Sequence, residues 1–230
     1  MISNLKMKIR KWNRARINAS RNIMLNLIIL FFDTNRKKIN NSGDNQSIFV
    51  LRSDGKIGDT VISTGFFKEL RRLNPKSPIY VYGNNHVKSI LEPLSVIDEV
   101  IVYKKGLLAT LKLYFRFRKE NFKIIMNTTD ELKPPAAFLM GQLKSSEKLI
   151  FKNLKLKSVT KIIDYEEGEG HFSDLYLNTL KYLFGNGNYD IKYLLNIKKE
   201  VVQKVRNLLV SQISSSKRII VFNAFAGPKL

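Results

Sequence analysis

From residue 48 onward, short apolar runs alternate with longer stretches in which apolar residues recur at helical spacing. Apolar runs of about four to eight residues, bounded by turn-forming residues, predict buried strands, and the periodic stretches between them predict helices. This alternation is typical of an α/β fold with a parallel sheet. The predicted strands are Ile48–Leu51, Ile79–Tyr82, Val100–Tyr103, Ile124–Asn127, Lys148–Phe151 and Arg218–Phe222, and the predicted helices are Thr60–Leu73, Val87–Leu91, Leu107–Glu120, Pro134–Gln142, Phe172–Phe184 and Lys199–Ser211.

Residues 1–46 stand apart from this pattern and predict a basic helix followed by a polar linker. The segment holds ten basic and two acidic residues, and its apolar residues recur at roughly helical spacing between Ile9 and Leu30. A basic helix with one tryptophan, Trp12, is typical of the membrane interface. A helix that packs on its own domain has the same pattern, so both interpretations stay open. The linker is predicted at residues 40–45, where Asn, Ser, Gly and Asp cluster.

Composition narrows the classes of function. The 230 residues carry a formal net charge of +21, which favours polyanionic partners such as nucleic acid, anionic lipid or phosphorylated substrates. The absence of cysteine excludes disulfides, thiolate metal sites and cysteine nucleophiles, and two histidines argue against a histidine-rich metal centre. The best apolar run, Met24–Phe32, is too short for a membrane span of about 18 to 20 residues. Asp33 and the residues after it form a poor signal-peptide cleavage site, so we predict no export.

A second basic region spans residues 104–161, and three aromatic residues, Tyr114, Phe115 and Phe117, lie among its charges. Basic and aromatic residues together occur in nucleic-acid-binding surfaces. The same pattern arises when a helix buries its aromatic side chains and exposes its charges to water, and we favour that interpretation. The acidic stretch 164–170 contains two glycines and no Asp-x-Asp spacing, so we predict a surface loop there.

The stretch Arg52–Thr60 joins the first strand to the first long helix of the α/β pattern. Gly55 and Gly58 let the backbone approach a ligand closely. Asp59 is expected at or beside the helix start, where unpaired N–H groups favour a carboxylate. The spacing matches neither a P-loop nor the dinucleotide-binding fingerprint. The residues alone therefore predict either a turn with a capping aspartate or a ligand-binding corner at the end of a strand.

Residues Ile48–Thr64 resemble the opening of glycosyltransferase family 9, the lipopolysaccharide heptosyltransferase family. That family begins with a hydrophobic strand, a basic residue, a short turn ending in Gly-Asp, and a helix. Leu70–Pro75 resembles its helix end, and Ile97–Ile101 resembles its next strand entry. His171–Leu177 resembles a histidine-led helix of the family, and Ile219–Lys229 resembles the strand and loop that open its C-terminal domain. The resemblance covers about residues 47 to 230 in the family's order.

The resemblance implies a GT-B fold, in which two Rossmann-like domains face a cleft. Residues 47–215 would form the acceptor-binding domain, and residues 216–230 would begin a donor-binding domain that is cut short. Residues 1–46 lie outside the family pattern. The implied reaction is an inverting transfer of a sugar from a nucleotide sugar, ADP-heptose in the best-known members, with no cofactor and no metal. Because most of the donor domain is missing, we expect little activity from these 230 residues.

The resemblance also assigns roles to residues. Asp59 takes the position of the proposed general base, and Arg52, Gly55, Lys56, Gly58 and Thr60 are expected at the acceptor. Lys229 matches a lysine near the donor phosphates. The implied acceptor is an anionic lipid-linked glycan on the cytoplasmic face of the bacterial inner membrane, which suits the basic charge better than nucleic acid does. A second hypothesis stays open: a non-enzymatic basic α/β module that binds nucleic acid or anionic lipid.

Overall fold

The computed structural model describes residues 2–33, 46–104, 106–129, 132–151, 156–164, 171–197 and 199–212. Within these ranges, strands and helices alternate as the hydrophobic pattern predicts. The strands are β1 (Ile48–Arg52), β2 (Ile79–Gly83), β3 (Glu99–Val102), β4 (Asn121–Asn127), β5 (Lys144–Phe151) and β6 (Lys161–Ile163), and the helices are α1 (Ile2–Phe32), α2 (Ile57–Leu73), α3 (Asn85–Leu91), α4 (Leu107–Phe117), α5 (Pro134–Gln142), α6 (Phe172–Phe184) and α7 (Lys199–Gln212).

The six strands form one parallel sheet in the order β3-β2-β1-β4-β5-β6. Ile48 of β1 pairs with Ile79 of β2 on one side and with Ile124 of β4 on the other. The chain first builds outward from β1 through β2 to β3 and then continues on the other side of β1 with β4. The carboxyl ends of β1 and β4 therefore form the topological switch point, where open α/β sheets bind ligands. The predicted α/β fold with a parallel sheet is confirmed.

Helices cover both faces of the sheet, so β1 is buried along its whole length. On one face, Val50 packs with Phe66 of α2 and with apolar residues of α3 and α6. On the other face, Phe49 packs with Leu113 of α4 and Leu139 of α5. Each layer buries its own hydrophobic core, and both cores meet at the central strand.

Helix α1 is joined to the domain at its C-terminal end. Leu25, Ile28 and Ile29 pack against the core on the α4–α5 side of the sheet. The ring of Phe32 contacts the ring of Phe138 of α5 edge to face, with centroids 5.3 Å apart. The structure therefore places one side of this helix on its own domain, which was one of the two interpretations of the sequence pattern.

Two contacts fix the end of α1. The buried carboxylate of Asp33 accepts hydrogen bonds from the backbone N–H groups of Lys157 and of Ser158, the second at 3.0 Å. Gly141 of α5 has no side chain where the helix end approaches, and a Cβ there would lie 2.5 Å from the carbonyl oxygen of Phe32. The small residue thus permits the close contact between α1 and α5.

Several boundaries differ from the predictions, and one strand was not predicted; β4 and β5, for example, begin at Asn121 and Lys144, three and four residues earlier than expected. Helix α2 begins at Ile57, one turn before the predicted start at Thr60, so it includes Gly58 and Asp59. Helix α4 ends at Phe117 rather than Glu120, because a turn follows in which the Glu120 N–H donates to the Phe117 carbonyl. Strand β6 was not predicted, since its three residues are too few to show an alternating pattern.

The chain divides into two units, residues 1–195 and residues 196–230. Of the second unit the structure describes helix α7, which confirms the predicted helix at Lys199–Ser211 to within one residue. The predicted strand Arg218–Phe222 lies outside the described residues, and the proposed domain boundary at 215/216 stays a prediction. Across the part of the chain that the structure describes, no helix has the length and apolar content needed to cross a membrane.

Candidate functional site

The predicted Gly-Asp corner lies at the switch point of the sheet, between the end of β1 and the start of α2. Gly55 has a φ of +71°, a conformation that other residues adopt at a steric cost. A Cβ at this position would lie 1.9 Å from the amide nitrogen of Asn84. Asn84 is itself fixed, because its side-chain oxygen caps α3 by accepting from the Val87 N–H at 3.0 Å. Gly55 therefore lets the corner close against the neighbouring strand–helix junction.

Asp59 lies in the first turn of α2, where the helix dipole favours a negative charge. The residue at the N-cap position is Lys56, whose carbonyl accepts the first helical hydrogen bond from the Thr60 N–H at 3.0 Å. The Asp59 side chain is 24% exposed, and its carboxylate lies 3.6 Å from the Lys56 ammonium group. Lys56, and not Asp59, therefore occupies the N-cap position. The Asp59 carboxylate lies at the rim of the corner and is partly exposed to solvent.

Arg52 and Thr60 lie beneath the corner rather than on its surface. The Arg52 side chain is fully buried, and its Nε donates to the Thr60 hydroxyl at 3.1 Å. Its Nη1 donates to the Tyr176 hydroxyl at 2.8 Å and to the Thr128 hydroxyl at 3.3 Å. Both residues were expected at the acceptor. Both side chains are buried and bonded inside the domain, and their contact with an acceptor stays a prediction.

The second carboxylate of the corner, Asp54, lies close to the buried guanidinium. Its Oδ2 is 3.9 Å from Nη2 of Arg52. Arg52 Nη2, Asp54 Oδ1 and Ser53 Oγ are buried and form no hydrogen bond within the described residues. Such groups are costly to bury without partners, so the layer below the rim is a polar site within the core.

Two residues of the site were not found from the sequence. Lys133 directly precedes α5, and its ammonium group donates to the carbonyl of Ser53. The start of α5 therefore contributes a cation to the corner. Tyr176 of α6 accepts from Arg52, and burial is the main cause of its raised pKa. Both lie far along the chain from Arg52, and no spacing rule connects them to it.

His171 has a structural role at the start of α6. The ring nitrogen Nδ1 of His171 accepts from the backbone N–H of Ser173 at 3.3 Å. The backbone N–H of His171 in turn donates to the Asp174 carboxylate at 2.8 Å. These reciprocal bonds form a capping box, which satisfies N–H groups that the first helical turn leaves unpaired. Among the residues described here, no group of three or more acidic or histidine side chains is placed to bind a metal ion.

No protein-family model matches the chain, but comparisons with known proteins give a curated relative and solved structures that it resembles. It is 22% identical over 215 residues to "Putative lipopolysaccharide heptosyltransferase 4" of Escherichia coli K12, a match that covers 90% of this chain and 57% of that protein. The crystal structure of a family 9 glycosyltransferase from Veillonella parvula superposes with a TM-score of 0.58 at 20% identity, covering 80% of this chain and 53% of that one.

The resemblance to glycosyltransferase family 9 is confirmed. The chain spans just over half the length of the curated relative and of the solved structure that it matches. An E. coli heptosyltransferase WaaC solved with ADP is also similar, with a TM-score of 0.49, 9% identity, and coverage of 62% of this chain and 48% of that one.

Within the family 9 pattern, the structure brings together part of the predicted site. Gly55, Lys56, Gly58 and Asp59 share the rim of the corner. Lys56 and Gly58 are exposed there, and a Cβ added to Gly58 would meet no atom within 4 Å. Their contact with an acceptor stays a prediction. Lys229, the predicted donor-binding residue, lies outside the described residues.

Proposed function

We propose that this chain supplies the acceptor-binding part of a glycosyltransferase, with Asp59 as the general base. One observation carries the proposal: the Asp59 carboxylate lies at the open rim of the switch point, in the first turn of α2, at the position that the family resemblance assigns to the base. A general base must lie within hydrogen-bond reach of the proton that it removes, and the partial exposure of Asp59 leaves its carboxylate accessible to a substrate.

The proposed reaction is an inverting transfer. Asp59 takes the proton of an acceptor hydroxyl while that oxygen attacks the anomeric carbon of the sugar. The bond between the anomeric carbon and the phosphate oxygen breaks, and the electron pair leaves with the nucleoside diphosphate. A positioned base contributes about 10²–10⁴-fold to such a step. The Lys56 ammonium group, 3.6 Å from the Asp59 carboxylate, can orient it, and the proposed step uses no metal ion.

The proposed donor is a nucleotide sugar. Heptose is the sugar that the curated relative's name favours, and ADP is the carrier that the family resemblance implies. The proposed acceptor is a lipopolysaccharide core or related surface glycan that is anionic and lipid-linked. The net charge of +21 supports an anionic partner. We therefore place the protein at the cytoplasmic face of the bacterial inner membrane, bound peripherally.

A donor screen tests this proposal. A polypeptide that joins residues 1–230 to a family 9 donor domain would be mixed with nucleotide sugars and purified core glycans, and sugar transfer would be followed by mass spectrometry. We expect transfer from one donor with inversion at the anomeric carbon, and little turnover by the 230 residues alone. A non-enzymatic basic module would bind glycan, lipid or nucleic acid without transfer, and that result would contradict the proposal.

A further inference from the structure

Helix α1 has two apolar sides, and the domain covers one of them. Leu25, Ile28 and Ile29 pack on the core, as described above. At about 100° per residue, a second set falls on the opposite side of the helix. We call this set the outer face of α1; its members are between 50% and 73% exposed, and they are Trp12, Ile23, Leu27 and Leu30.

The helix that carries the outer face is strongly basic. Residues 2–32 contain seven Lys and Arg residues and no Asp or Glu. Arg16 lies over the ring of Trp12, with its guanidinium carbon 5.3 Å from the ring centroid, so a cation and an amphipathic ring occur together. An exposed apolar stripe on a cationic helix is typical of helices that lie in the headgroup region of a bilayer.

The outer face could be covered by a second copy of the chain or by a lipid surface, and charge distinguishes the two. A second copy of the chain would bring the seven cations of one helix against the seven of another, and like charges oppose that pairing. An anionic lipid surface has the opposite sign and attracts each cation near it. We propose that the outer face of α1 binds the surface of an anionic bilayer. This inference deepens the proposed function, since it names the surface through which the protein reaches a lipid-linked acceptor.

Helix α4 carries a second group of exposed apolar residues. It packs on the same face of the sheet as α1, and both helices contact α5. Leu107 and Leu108 are exposed in its first turn, directly after the carboxyl end of β3. That end belongs to the edge of the sheet that carries the corner with Asp59. Exposed apolar side chains that could enter a bilayer therefore also occur at the start of α4, near the edge of the sheet that carries the corner.

Vesicle binding tests this proposal with the full 230-residue chain. Sedimentation with phosphatidylglycerol vesicles and with phosphatidylcholine vesicles measures binding to anionic and to neutral bilayers. We expect binding to the anionic vesicles that weakens as salt is raised, and at least about tenfold weaker binding to the neutral ones. Trp12 is the single tryptophan of the chain, so its fluorescence should shift to the blue when anionic vesicles are added.

A matched pair of double variants isolates the outer face. Leu27→Gln with Leu30→Gln removes two exposed apolar side chains from it, and should weaken anionic-vesicle binding at least about tenfold. Tyr193→Gln with Leu195→Gln removes two side chains that are 58% and 50% exposed, next to Leu194, which packs against α2 on the other face of the sheet. This control should bind like the wild type. Circular dichroism confirms that both variants fold.

Two results would overturn the inference. One is equal binding by the outer-face variant and the control. The other is a dimer that the outer-face variant dissociates in sedimentation equilibrium, because that would assign the face to a second copy. Vesicle binding does not require sugar transfer, and Asp59→Asn should bind vesicles like the wild type. Failure of this inference and failure of the proposed reaction are therefore separate outcomes.

Discussion

At the scale of residues, the corner depends on the buried guanidinium of Arg52. Its hydrogen bonds reach Thr60 of α2, Thr128 after β4 and Tyr176 of α6, so one side chain joins three parts of the domain. A buried cation is stabilised only when its donors are used and an opposite charge lies near, and Asp54 supplies that charge at 3.9 Å. Arg52 is thus a positioning residue for the corner.

Removing the Tyr176 hydroxyl tests this arrangement. Tyr176→Phe leaves the ring in the core but takes away an acceptor of the buried guanidinium, so we expect a loss of about 1.5–3 kcal/mol in unfolding free energy, measured by urea titration. Tyr182→Phe is the matched control, because its hydroxyl bonds to Glu147 at an exposed site where water can replace it. Equal effects of the two variants would contradict the role assigned to Arg52.

Tyr82 gives a prediction about pH. Burial, and to a smaller extent Tyr103, raises the pKa of the Tyr82 hydroxyl well above its ordinary value of about 10. The unfolded chain therefore releases this proton first, and stability that is present below about pH 10 is lost as the pH rises further. Above pH 10, Tyr82→Phe should make the fall of unfolding free energy with rising pH less steep, by about 1.4 kcal/mol per pH unit. Between pH 7 and 9 the substitution should leave the slope unchanged. A Tyr82→Phe variant with the wild-type slope above pH 10 would contradict the raised pKa of Tyr82.

At the scale of elements, the two glycines of the corner have different roles. Gly55→Ala places a Cβ at positive φ and against Asn84, so we expect a loss of at least about 1–2 kcal/mol and a displaced α3 cap. Gly58→Ala lies in the first turn of α2 with open space around it, and should stabilise the fold by about 0.5–1 kcal/mol. Thermal unfolding of both variants measures the difference, and equal destabilisation would contradict it.

The attachment of α1 is testable through Asp33. Asp33→Ala leaves two backbone N–H groups, those of Lys157 and Ser158, without their acceptor, so we expect a loss of about 1–3 kcal/mol per group that stays buried. Asp190→Ala removes an exposed ion pair with Lys68 and should change the unfolding free energy little. If both variants are equally stable in urea, the end of α1 is not held as the structure indicates.

Sequence predicted the elements better than it predicted the corner. Helices α5 and α6 have the predicted bounds because strong local signals mark them: Pro134 begins one, and Gly185 follows the other. The burial of Arg52 could not be predicted, since arginine is usually exposed and its partners at 128 and 176 lie far along the chain. The placement of Asp59 near the start of α2 was predicted because it depends on a local strand–turn–helix pattern.

At the scale of the whole molecule, charge and topology assign different roles to different sides. The switch point places the Asp59 corner at one edge of the sheet, and α1 and α4 present exposed apolar residues on one face. The net charge of +21 attracts an anionic surface to the protein over a distance of about a Debye length, roughly 10 Å at 0.1 M salt. The two proposals thus assign a lipid surface to the exposed apolar residues of α1 and an acceptor hydroxyl to the rim that carries Asp59.

The rate of sugar transfer by Asp59→Asn tests the central claim most directly. In the polypeptide completed with a donor domain, we expect Asp59→Asn to lower kcat by about 10²–10⁴-fold while the acceptor KM changes little, because amide and carboxylate have the same shape and only one accepts the proton. Asp54→Asn, at the neighbouring carboxylate, should lower kcat less than about tenfold. An Asp59→Asn enzyme that retains kcat within about tenfold of the wild type would contradict the assignment of Asp59 as the general base.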